Sequence, residues 1–92
     1  MGATVTDMTY PSARYYLERA FPLDRKGRLT SSDDLEKLRR ALPNSPIVQD
    51  HVGDLLRFAR QMLRDCEQSA PDAIPMAEIE FAGATLHFKW AE

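Results

Sequence analysis

Between Ser69 and Pro75 the hydrophobic period of the chain changes from 3.6 to 2. Upstream, over 46–67, Val48, Val52, Leu55, Leu56, Phe58, Ala59, Met62, Leu63 and Cys66 fall within about 160° of a helical wheel. Downstream, Ile79 and Phe81 alternate with Glu78 and Glu80. After Ala82-Gly83, Leu86, Phe88 and Trp90 alternate with His87 and Lys89. A face written at one period does not rest in the other kind of element. The chain is therefore predicted to be α+β, with a central helix over 46–67 and a C-terminal antiparallel hairpin over about 77–90. A lone hairpin is marginal in water, so its apolar face must cover helices.

Two shorter helices are expected before the central one. Over 10–21, Ala13, Tyr16, Leu17, Ala20 and Phe21 gather on one side, and Arg14, Tyr15, Glu18 and Arg19 lie opposite. Thr9 is its candidate cap, Pro11 sits in the first turn, and Pro22 stops it. Over 32–42, Leu35, Leu38 and Leu42 form a narrow stripe behind Ser31, whose spacing to Asp34 is that of a capping box. Residues 22–30 read as a polar turn centred on Gly27. The chain is read as a flexible tail over 1–8 and one domain over 9–92, in which three helices precede a hairpin packed on them. The expected core is Val52, Leu55, Ala59, Met62 and Leu63, with Leu17, Leu38, Ile79, Phe81 and Phe88 around them. Two hairpin registers keep the apolar residues together. A two-residue loop pairs Ile79 with Leu86. A four-residue loop pairs Ile79 with Phe88 and sets Glu80 against His87 and Glu78 against Lys89. Cross-strand charge favours the second.

Composition narrows the function. In 92 residues, 12 basic and 14 acidic side chains give a net charge of −2, mild for a nucleic-acid mimic and the wrong sign for a strongly basic binder. The charge is polarised: residues 1–64 carry 11 basic and 8 acidic side chains, and residues 65–92 carry 1 and 6. No apolar run reaches the roughly 18 residues of a membrane span, and no signal peptide opens the chain. One cysteine excludes a disulfide framework and a multi-Cys zinc module. Met-Gly-x-x-x-Thr at Gly2 and Thr6 matches a short myristoylation pattern that chance meets easily, and it reads as an ordinary tail.

No residue set carries catalytic chemistry. A Gly-rich phosphate loop, a Ser-His-Asp set and a paired-carboxylate pocket are all missing from the sequence, so no enzyme and no cofactor is expected. Placing Gly27 at the sixth position of a calcium loop puts Pro22 at the first ligand position, Lys26 at the fifth and Asp33 in place of the closing glutamate. Only Asp24 fits, and a plain connector is the better reading. His51 and His87 have no metal-ligand neighbours on their own elements, so no metal is expected. Cys66, between Asp65 and Glu67, reads as a structural thiol rather than a nucleophile.

By elimination, the expectation is a small cytoplasmic, non-enzymatic protein-interaction module (an adaptor, an inhibitor or a homodimeric accessory protein). The candidate partner-binding residues are Tyr15, Arg57, Arg60, Arg64, Phe88 and Trp90. Strand 85–90 has three large apolar residues and a single Lys, so its edge is weakly defended and is the expected site of homodimer pairing or of strand addition by a partner protein. The order of three helices and a hairpin resembles that of a winged helix-turn-helix. That resemblance, in topology alone, implies the alternative: nucleic-acid binding through the Arg57/Arg60/Arg64 face. Nucleic-acid binding is not expected, because the hairpin is acidic.

Overall fold

The structure, a computed structural model, describes residues 13–91. The expected tail over 1–8, the Gly2/Thr6 pattern, the Thr9 cap and Pro11 lie outside the described residues. The elements run α1 (Ala13–Arg19), β1 (Phe21–Leu23), α2 (Ser32–Ala41), α3 (Pro46–Asp50), α4 (Val52–Ser69), β2 (Met76–Phe81) and β3 (Ala84–Trp90). The fold is α+β, as expected. Its sheet is not a lone hairpin, however: it has three strands in the order β1-β3-β2, with β1 parallel and β2 antiparallel to β3.

The first correction lies at Phe21–Leu23, read as a helix end and a polar turn. These residues form β1, with Phe21 opposite Phe88, Pro22 opposite Lys89 and Leu23 opposite Trp90. The Phe-Pro-Leu alternation sends Leu23 into the core, where it is fully buried. Pro22 is tolerated because an edge strand leaves one row of N–H groups unpaired. The loop after it is built by Asp24, whose Oδ1 accepts the amides of Lys26 and Arg28, each at 2.9 Å. Gly27 turns the chain at φ 85, and Leu29 returns to bridge Leu23. Helix α2 begins as expected, with the Ser31 hydroxyl accepting the Asp34 amide at 3.2 Å.

The second correction is at His51, which divides the expected central helix into α3 and α4. In a continuous helix the His51 amide would bind the Ile47 carbonyl. Here the imidazole Nδ1 donates to that carbonyl at 2.7 Å, and the amide turns to Val48 O at 3.1 Å. A side chain that competes for the backbone in this way breaks a helix. The backbone at His51, φ −95 and ψ 6, records the break.

The third correction is the hairpin register. Ile79 faces Leu86, Ala77 faces Phe88 and Glu78 faces His87, around a two-residue Ala82-Gly83 loop. Both loop residues have positive φ, 53 and 83. This is the geometry whose twist matches that of the flanking strands, and it outweighs the cross-strand charge that favoured the longer loop.

One core joins the elements. Leu38 and Leu42 near the end of α2, Val52, Leu55, Ala59 and Leu63 of α4, and Leu23, Ala77, Ile79, Leu86 and Phe88 from the strands are buried together. Met62, Leu17 and Phe81, expected in the core, are only half-buried. Helix α4 covers one face of the sheet. Helix α1 reaches the other, where Tyr16 stacks on His87 at 4.4 Å and Lys89 Nζ donates to Leu17 O at 2.7 Å.

Candidate interaction surface

The two flanks of α4 do different work, and the helical wheel shows why. Leu55, Ala59 and Leu63 point at the sheet. Arg60 and Glu67 lie on one side of that line, and Phe58, Met62 and Cys66, spaced i, i+4, i+8, lie on the other.

The Arg60 flank closes on the β1 loop. Arg60 Nε donates to Arg25 O at 2.7 Å. The Arg25 guanidinium lies 4.2 Å over the Trp90 ring and donates to Glu67 Oε1 at 2.8 Å. This hydrogen bond and the Arg25 charge hold the Glu67 carboxyl below its usual range. The Trp90 indole and the Arg64 charge act in the same direction more weakly. The buried Trp90 Nε1 has no hydrogen-bond partner among the described residues. The Asp24 carboxyl is also held low, first by the Arg28 amide and then by the Lys26 amide and the two side-chain charges. Asp24 is thus a loop brace. A cleft of about 310 Å³ opens between Trp90, Arg25, Glu67, Ile74 and Lys89. Its carboxylate is already ion-paired, so the cleft offers no free acid–base pair.

The Phe58 flank is open. Phe58, which lies on the apolar arc of the helical wheel, is 57% exposed. Met62 and Cys66 beside it are half-buried, and Cys66 Sγ donates to Met76 O at 3.7 Å, which ties this flank to β2. Strand β2 is an outer strand of the sheet. Along it Ala77 and Ile79 point inward and are buried, while Glu78 and Glu80 point outward and are exposed. No hydrogen bond among the described residues runs from the free side of Ala77–Phe81 to another element. An unpaired strand edge therefore lies against a partly exposed apolar ridge.

The six candidate residues named from the sequence do not converge. Phe88, expected both in the core and as an edge contact, is fully buried in the core, and β1 pairs with β3 from Phe88 to Trp90, which covers the C-terminal half of the edge expected to be free. Trp90 is half-buried under Arg25. Tyr15 lies on α1, on the far side of the sheet, with its ring edge-on to Tyr16 and the Arg19 guanidinium 3.8 Å above it. Arg57 pairs with Asp54, Arg60 is spent on the loop, and Arg64 stands exposed near Glu67. The arginine stripe is thus divided among separate tasks. Two features escaped the sequence reading: that β2 rather than β3 is the edge strand left without a second neighbour, which follows only once β1 is recognised, and the exposure of Phe58, which wheel position alone did not reveal.

Among the described residues no group of three or more metal-binding side chains occurs, and no helix is long and apolar enough to cross a membrane. No known protein family, curated protein or solved structure matches the chain.

Proposed function

We propose that this chain is a small cytoplasmic protein-interaction module without catalytic activity, and that it docks a partner protein along the β2 edge and the Phe58 flank of α4. The observation that carries the reading is Phe58, 57% exposed in the row that Cys66 anchors to the outer strand. Burying a large aromatic against a partner is strongly favourable, and such residues are enriched at interface centres. A free strand edge beside it supplies backbone donors and acceptors for strand addition.

The test is capture from the native host with the wild-type chain, Phe58→Asp and Arg57→Ala as baits, each with and without nuclease. Both replaced side chains are exposed, so each variant should keep the wild-type circular dichroism spectrum. The expected result is a protein held by the wild type and by Arg57→Ala, lost on Phe58→Asp, and indifferent to nuclease. Capture that survives Phe58→Asp would overturn the docking surface. Capture that needs nucleic acid and fails without Arg57 would replace this reading with the winged-helix one.

A further inference from the structure

The β2 edge carries its own statement about its occupant. Residues 65–92 hold 6 acidic side chains and 1 basic one. Two of the acids, Glu78 and Glu80, stand on the outward face of the outer strand. Their cross-strand neighbours are His87 and Thr85, and neither carboxylate is ion-paired among the described residues. A strand added beside β2 would set its own outward side chains next to these two charges, where opposite charge stabilises and like charge destabilises. Its alternate side chains would turn inward, beside Ala77 and Ile79 and toward the Phe58–Met62 ridge.

A second copy of the chain is a poor occupant. A two-fold antiparallel pair that keeps both apolar faces on one side must set even residues against even ones. Centred on Ile79, it places Glu78 against Glu80 of the other copy. Centred on Glu78 or Glu80, it places that acid against itself, and a pair slipped to Ala77 or Phe81 avoids the acids only by bringing Pro75 or the turn residues Ala82-Gly83 into the ladder. Nucleic acid is a poorer one still, since its phosphates would meet the same carboxylates.

We propose that the β2 edge takes up an extended segment of a partner protein in which Lys or Arg alternates with apolar residues, the cations lying over Glu78 and Glu80 and the apolar side chains over the Phe58 ridge. This deepens the interaction reading above and rests on it. The geometry fits the length of β2, six residues, and uses the period of 2 that any added strand must have.

The probes are peptides of the six-residue length of β2, capped at both ends. The first alternates Lys and Val, the second alternates Glu and Val, and the third is the Lys/Val peptide N-methylated at its central residues. Each is titrated into the labelled full chain while backbone amide shifts are followed. The expected result is that Lys/Val moves the amides of 76–81 and of the Phe58 turn, that Glu/Val binds at least about tenfold more weakly, and that N-methylation abolishes the effect. In a Glu78→Lys/Glu80→Lys variant, which alters only exposed side chains, the preference should reverse. Equal binding of Lys/Val and Glu/Val at β2 would overturn the basic partner while leaving the docking surface standing. Shifts confined to other elements, or no binding by any peptide, would overturn the strand-addition proposal. Undiminished binding of the N-methylated peptide would show charge attraction without strand pairing and would overturn it too.

Discussion

Arg60 shows how one side chain can change meaning between a wheel diagram and a fold. By spacing it belongs to a stripe with Arg57 and Arg64, aimed at solvent. In the structure its Nε holds the Arg25 carbonyl, and its stem lies so close to Gly27 that a Cβ there would meet Arg60 Cδ at 2.8 Å. Gly27 also sits at φ 85, where a side chain is strained regardless of space. Gly27→Ala is therefore expected to cost about 1–3 kcal/mol, read as a lower urea midpoint at unchanged slope. An unchanged midpoint would show that the loop is not braced as described. The acids around this loop set a pH dependence. Glu67 and Asp24 are both held below their ordinary values of 4.5 and 3.8 in the folded chain. A depressed folded value stabilises the fold above the unfolded value, and the stabilisation is lost as pH falls through the folded one. Unfolding free energy should thus decline below about pH 5 and continue to decline toward pH 3. Glu67→Gln should be less stable than wild type at neutral pH and converge with it in acid. A constant difference at every pH would remove Glu67 from this account.

At the scale of elements, the competing terms are local and their outcome is visible. The β2–β3 turn places a residue with a Cβ, Ala82, at φ 53 so that the hairpin can close in two residues. The left-handed region costs an L-residue roughly 1–2 kcal/mol, and Asn-Gly is the preferred pair for such a turn. Ala82→Asn should recover part of that cost and raise the urea midpoint. A lower midpoint would mean that Ala82 makes contacts that outweigh its strain. The period-2 signal was strong enough to find both hairpin strands and weak on register, because either register put Ile79 and Phe81 on the same face as Leu86 and Phe88. Three residues of β1 offered too short a run for any periodicity to show, and Pro22 argued against a strand. The His51 break was invisible for another reason: it depends on an imidazole taking a carbonyl from its own backbone, which apolar spacing does not encode.

For the whole molecule, the consequence of β1 is a change of edges. The strand expected to be exposed, β3, is central, and the strand left outermost, β2, presents two glutamates. Lysines, prolines and bulges are common devices on edges, and charge in general discourages self-pairing. The chain should therefore sediment as a monomer of 10.5 kDa at micromolar concentration and neutral pH. A species of twice that mass would require an interface other than β2 against β2. Repeating the measurement with Glu78→Lys alone separates the cases: a Lys facing Glu80 of another copy removes the like-charge barrier, so any association that appears only in the variant locates the contact at this edge.

The sequence alone determined what repeats locally: the 3.6-period face of α4, the Ser31 cap of α2, the alternation in β2 and β3, and the α+β class that follows from holding both. It also determined most of the buried set, because Val52, Leu55, Ala59, Leu63, Leu38, Ile79 and Phe88 are fixed by position within their own elements. Tertiary structure decided the rest. Whether Phe21–Leu23 is a helix end or a strand depends on Phe88, Lys89 and Trp90, more than sixty residues away, offering an edge to pair with. Whether Phe58 is core or surface depends on how far the sheet extends beneath α4. Whether Arg60 grips a ligand or a loop depends on where Arg25 comes to rest. Each of these is settled by a partner distant in the chain, and a pattern read along the chain has no term for the distance across it.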